Sequence, residues 1–189
     1  FDLRILQGNT FNVELNGREH AIAQYDVRRS GETLVIDFER NRDIDFDWEN
    51  WDLKALPVDE VEIVVTMPSL ERIEAMGVGS LQLDEYSGRS LAIEARGPVD
   101  ITGDINVDDL TIRLTGNAEA ELSGNVGNMN ASVEFASRLR AYDLEANDAL
   151  VEAHGASTAK VNVKGTLEME EGTASDIDFR GNPQVVRRD

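Results

Sequence analysis

The chain has 189 residues, with 18 Lys and Arg against 37 Asp and Glu, a formal charge of −19 at neutral pH. Such a surface repels phosphodiester backbones and anionic headgroups, which disfavours nucleic acid and membrane surfaces as partners. The absence of cysteine removes disulfides, thiolate zinc sites and cysteine nucleophiles. With 41% hydrophobic but only 6% aromatic residues, the length suits one domain with a core of small and branched aliphatics.

From the N-terminus onward apolar residues alternate with polar ones, the period of a β-strand. Phe1, Leu3 and Ile5 precede the turn Gln7-Gly8-Asn9, and Phe11, Val13 and Leu15 follow it, which predicts a strand pair closed at Asn16-Gly17. Tyr25 and Val27 stand across Arg29-Ser30-Gly31-Glu32 from Leu34, Ile36 and Phe38, a hairpin. Ile44, Phe46 and Trp48 then alternate with Asp43, Asp45 and Asp47, reading as a strand with one wet face. Asp43-x-Asp45-x-Asp47 opens like a calcium loop, but Trp48 holds the turn position and Lys54 the twelfth, so the solvated strand is the better reading. Trp48 and Trp51, with Asp47 beside them, are candidate contacts for a sugar or a partner; the competing role is Trp48 in the core and Trp51 as a lid over the first coil. Val61, Ile63 and Val65 lead to the turn Met67-Pro68-Ser69.

Beyond residue 67 the alternation acquires a longer beat. Ile73, Ile93, Ile112, Val133, Val151 and Met169 are separated by 20, 19, 21, 18 and 18 residues. A second marker series, Gly77, Gly97, Gly116, Ala136, Gly155 and Gly172, keeps nearly the same interval. Within each unit a second alternation follows the small residue, as in Leu81/Leu83 and Leu139/Ala141, and a third precedes the next unit, as in Ile105/Val107. Three short strands per unit of roughly twenty residues, joined by tight turns, is the pattern of a parallel β-helix, in which no coil buries its inward stripe alone. A β-sandwich or up-and-down barrel would recur near ten residues instead. The expected fold is therefore all-β: a right-handed parallel β-helix (solenoid) of about six coils of roughly 19 residues, preceded by paired strands. Residues 1–189 form one domain in this reading, with 1–66 as N-terminal strands and cap and 67–189 as the repeating coils. Residues 1–30 and the segment Gln184-Val185-Val186-Arg187-Arg188 are the expected end caps.

Catalytic and metal-binding residues are poorly marked. His20 and His154 are isolated, and Asp100, Asp104, Asp108 and Asp109 read as turn residues at coil corners. A polysaccharide lyase would need a basic residue beside carboxylates, and Arg113, Arg138, Arg140 and Lys160 qualify by type, but they are not expected to share a coil phase. Coils this short leave no long loops to wall a cleft.

The segment Val61-Glu62-Ile63-Val64-Val65-Thr66-Met67-Pro68-Ser69-Leu70, the corners with Gly-x-[Gly/Ala/Ser], and the ending Arg180-Gly181-Asn182-Pro183-Gln184-Val185 resemble the head GIN domain family, also known as the putative auto-transporter adhesin head domain. The opening Gln7-Gly8-Asn9-Thr10-Phe11-Asn12-Val13-Glu14-Leu15 fits the same pattern, so the resemblance spans nearly the whole chain. The family's Gly-Ser-Gly-Asp corner signature is degraded here to sequences such as Gly77-Val78-Gly79-Ser80 and Gly155-Ala156-Ser157-Thr158. The resemblance implies a β-helical bacterial protein that is exported, to the periplasm or cell surface, with no settled activity. The chain starts at Phe1, consistent with removal of an upstream export signal or anchor, and no hydrophobic run is long enough for a membrane span.

The sequence reading is thus a non-catalytic cell-envelope domain without a cofactor or a metal site. It would contact a protein or a glycan, or copies of itself as a homo-oligomer, rather than nucleic acid. The alternative is a carbohydrate-binding or polysaccharide-active β-helix. At −19 any self-association should strengthen with salt, since the Debye length falls from ~10 Å at 0.1 M to ~3 Å at 1 M.

Overall fold

The computed structural model describes residues 1–38 and 61–188. Its strands are β1 (Asp2–Gln7), β2 (Asn12–Asn16), β3 (Tyr25–Ser30), β4 (Thr33–Phe38), β5 (Glu62–Met67), β6 (Arg72–Met76), β7 (Gly79–Arg96), β8 (Val99–Thr115), β9 (Glu119–Glu134), β10 (Arg138–His154), β11 (Thr158–Val163), β12 (Thr166–Glu171), β13 (Asp176–Gly181) and β14 (Gln184–Arg187), with one short helix α1 (Glu19–Ile22). A strand as long as β7 would reach about 60 Å if straight. Instead it wraps around a coil, and Gly77 donates its N–H to the carbonyl of Arg96 one turn on. The coils form a β-solenoid of about six turns, with every neighbouring pair from β7 to β14 parallel.

Alternation within each coil turns every second side chain inward, and stacking places those side chains in columns. On the sheet that follows the glycine corner, Leu81, Ile101, Ala120, Leu139, Ala159 and Ile177 lie in one register column, all buried. On the sheet that ends each coil the column is Ile73, Ile93, Ile112, Ala131, Val151 and Met169. Ala131 stands where the spacing predicts Val133, which packs one inward position further on, between Leu114 and Ala153. A slip of two residues keeps the same face inward, so alternation does not detect it.

The corner between these two sheets is where the chain reverses fastest. Gly97, at φ +94°, lies so close to the coil before it that a Cβ there would sit 2.7 Å from the carbonyl oxygen of Gly77. At the next equivalents the corner uses two left-handed residues, Gly116-Asn117, Phe135-Ala136 and Gly155-Ala156. Phe135, not Ala136, shares the register of the glycines, and both are left-handed.

Just beyond the corner a column of small side chains lies inside, with Ser137 and Ser157 fully buried. Ser157 Oγ donates to the carbonyl of Val133 at 2.7 Å, whereas Ser137 Oγ has no partner among the described residues. Burying a hydroxyl without a hydrogen bond costs free energy that an alanine does not incur. Ser137→Ala should therefore stabilise the protein by about 1 kcal/mol, and Ser157→Ala should destabilise it by a similar amount. Urea unfolding of both variants checks this contrast, which a uniform serine effect would not produce.

The N-terminal region departs from the expected β1–β2 pair. β1 lies between β5 and β7, parallel to both, and β2 pairs antiparallel with β5. Leu3 and Ile5 thus extend the inward columns, opposite Leu81 and Leu83 on one side and Ile63 and Val65 on the other. The turn at Gln7-Gly8-Asn9 reads as a hairpin locally, but the better inward match for β1 comes from β5, more than fifty residues later. The hairpin β3–β4 forms as the sequence predicts, with Tyr25 edge-on to Phe38 at 5.2 Å. A second apolar cluster joins it to the stack through Ala21, Val61, Ile63, Val65 and Met67. At the other end Gln184–Arg187 is itself a rung on β12, with Val185 and Val186 exposed, and not a cover over the last coil.

Candidate contact surface

The outward positions of the coils carry the polar half of each strand, and the stack aligns them into ladders. Beside β7 and β8, where the strands break register at Leu83/Tyr86, a shallow open groove of about 830 Å³ runs along the corner. Asp84, Glu85, Asp104, Glu121 and Asp143 line it, with Arg4 held on Asp84 through Nε at 2.6 Å. These carboxylates are spread along the corner, and among the described residues no three acidic or histidine side chains converge as a metal site would require.

Asp104 accepts hydrogen bonds from Asn106 Nδ2 and Ser123 Oγ, both at 3.1 Å, and Asp109 accepts from Asn128 Nδ2 at 2.8 Å. Both aspartates tie one coil to the next, in keeping with a turn-stabilising role. Asp100 differs from expectation: it occupies a regular ladder position between Ser80 and Glu119 on the outer face, not a corner.

The basic residues are more ordered than expected. Arg140 and Lys160 are direct neighbours across β10 and β11, and Arg138 projects from the same outer face two residues before Arg140, so three of the four share a face. The separation of 20 residues between Arg140 and Lys160 is one coil interval, the same as that from Ile73 to Ile93, so the spacing itself placed them in register. Arg113 lies apart, on the sheet that ends each coil, between Glu94 and Ser132. Arg138 and Arg140 both pair with Glu119, the first at 3.5 Å.

Next to them the structure adds Tyr142, which sequence reasoning missed. Its hydroxyl donates to Asp178 Oδ2 at 2.5 Å, and that hydrogen bond pushes its pKa above the ordinary tyrosine value. The Arg180 guanidinium lies 3.9 Å from the ring centre, within cation–π range, and Lys160 Nζ lies 5.8 Å away. The available signal was the break in alternation after Leu139/Ala141, which sets an aromatic ring on the outside of a coil.

His154 sits on the outer face, with Nε2 3.7 Å from Glu170. His20 lies in α1, whose residue 20 carbonyl accepts from Gln24. Trp48, Trp51 and Asp47 lie outside the described residues, as do Asp43, Asp45 and the rest of the acidic strand.

Stacked parallel coils with polar outer ladders define a β-solenoid of the kind used for extended surfaces. The chain belongs to the family described as putative auto-transporter adhesin, head GIN domain, whose model matches residues 1–183. Crystal structures of other bacterial proteins share the fold. A putative adhesin from Bacteroides fragilis NCTC 9343 is 17% identical, with a TM-score of 0.72 over 99% of this chain and 88% of that chain. A putative adhesin from Parabacteroides merdae ATCC 43184 is 12% identical, with a TM-score of 0.67 over 99% and 83%. A protein from Parabacteroides distasonis ATCC 8503, described as a putative lipid binding protein, is 18% identical, with a TM-score of 0.59 over 98% and 88%. Comparison with curated proteins gives no match. No helix among the described residues is long and apolar enough to cross a membrane.

Proposed function

We propose that this domain is a non-catalytic contact module of the bacterial cell envelope, exported to the periplasm or the cell surface, that holds a glycan or protein partner against its outer ladders. The observation that carries this reading is the outer surface itself: in-register coils joined by turns of a few residues present side chains in rows, with no wall of loops around them among the described residues. The family's description as an adhesin head and the adhesin-like solved relatives support the same reading.

The test uses the purified chain immobilised beside a panel of neutral and acidic glycans and envelope proteins, with each ligand's size measured before and after contact. Saturable retention of at least one ligand at unchanged size is expected. Shortening of any polysaccharide would overturn the non-catalytic reading. Trp48→Ala and Trp51→Ala on the same panel separate an aromatic sugar platform, which they would abolish, from contact through the ladders, which they would leave intact.

A further inference from the structure

We propose that the glycine corner is a self-complementary surface through which two copies of this chain pair antiparallel about a two-fold axis at Gly116-Asn117. The corner runs along the solenoid through residues 77–78, 97–98, 116–117, 135–136 and 155–156, and none of these ten positions carries a charge, on a chain whose net charge is −19. It also leaves large apolar groups in water: Val78 is 72% exposed and Phe135 63%, with Pro98 exposed between them and Met76, 67% exposed, on the adjoining flank. Two copies this acidic repel each other over most of their surface, so an uncharged apolar ridge is where they approach at least cost.

The rows flanking the ridge decide how a second copy would sit. On one flank the register stacks Met76, Arg96, Thr115, Glu134 and His154. Reversed about Thr115, this row sets Arg96 opposite Glu134 of the other copy, and Glu134 opposite its Arg96. On the other flank it stacks Ser80, Asp100, Glu119, Arg138 and Thr158. Reversed about Glu119, this row sets Asp100 opposite Arg138 of the other copy, again twice. The same operation on the ridge brings the Gly97-Pro98 step against Phe135-Ala136 and the Gly77-Val78 step against Gly155-Ala156, with the small Gly116-Asn117 step at the axis. One two-fold therefore satisfies both flanks and the ridge, which is the condition for a closed, isologous dimer. Asp100 and Glu134 make no ion pair of their own among the described residues, while Arg96 and Arg138, paired within the chain with Glu94 and Glu119, stay 60% and 61% exposed at the side chain. Glu119, which meets its own counterpart at the axis, keeps Arg140 as its partner when Arg138 turns to Asp100 of the other copy.

Phe135 bears on the same point. It holds a left-handed backbone at φ +52°, where glycine fits better, and buries little within its own chain. A surface partner accounts for a phenylalanine there; the fold does not require one.

Sedimentation equilibrium of the full chain tests the pairing. A dimer is expected, weakened about tenfold or more by Arg96→Glu and by Phe135→Gly, and restored by combining Arg96→Glu with Glu134→Arg, which swaps the charges. Because the chain lacks cysteine, Asn117→Cys supplies an independent readout: mild oxidation should cross-link it to its own copy, while Thr111→Cys, on the same outer face as Thr115 but four residues further from the ridge, should not. A monomer at every concentration overturns the proposal, as does a dimer indifferent to the reversals or left weak by the swap, or equal cross-linking at residues 111 and 117. A monomer that floats with neutral-lipid vesicles also overturns it, and would assign the ridge to a bilayer.

Discussion

Ile112→Ala is expected to destabilise the protein by about 2–5 kcal/mol, lowering its melting temperature by roughly 10 °C. Ile112 is 1% exposed and stacks between Ile93 and Ala131 on adjacent coils. Strand spacing of about 4.8 Å fixes those neighbours along the axis, and Ala131 is already small, so the space left by the lost carbons cannot be refilled by collapse. Val186→Ala, on a last-rung residue 41% exposed, should change the melting temperature little. In a stack held by nearest-neighbour contacts the central change should also split the transition, with coils on one side of the defect melting before those on the other. Thermal and urea unfolding followed by circular dichroism reads both effects. Equal losses at residues 112 and 186 would contradict the stacked-column account.

Gly124→Ala should cost about 3 kcal/mol, at the upper end of what local backbone strain imposes. Gly124 has φ +111°, and a Cβ there would stand 2.2 Å from the carbonyl oxygen of Ile105 and 2.9 Å from that residue's carbonyl carbon and nitrogen. The obstacle is backbone in a hydrogen-bonded rung, so no side-chain rotation relieves it. Gly31→Ala is the control: its φ is +62°, but nothing lies within 4 Å, so its cost is confined to the left-handed backbone, about 1 kcal/mol. Comparable urea midpoints for the two variants would mean that coil-to-coil approach at Gly124 is looser than the structure has it.

Much of the architecture was legible because a solenoid writes its period into the chain. Ile73, Ile93 and Ile112 stack one above another as their spacing predicts, and the corners at Gly77, Gly97 and Gly116 follow. Legibility failed where the signal has two solutions. The exchange of Ala131 for Val133 leaves the alternation unchanged, whereas Arg140 and Lys160, one 20-residue interval apart, were neighbours by the same beat that aligned Ile73 with Ile93. The insertion of β1 between β5 and β7 is a pairing across more than fifty residues, which local turn chemistry cannot announce. The surface was less legible still. Tyr142 with Arg180 and Asp178, and the reversed charge order beside the glycine corner, emerge only once coils are set in register. Of the residues singled out in the sequence as contacts, Trp48, Trp51 and Asp47 lie outside the described residues, so their role stands as a proposal for the binding panel.

Contact through the outer ladders is tested most directly by measuring adhesion and melting temperature on the same samples of single charge reversals on two outer faces. Arg140→Glu, on the sheet after the corner, and Glu152→Lys, on the sheet ending each coil, are suitable because both side chains point outward from β10. The predicted result is that one reversal abolishes retention of the ligand found on the panel while the melting temperature stays within a few degrees of the parent. Retention that survives both reversals, or that falls only in step with the melting temperature, would contradict it.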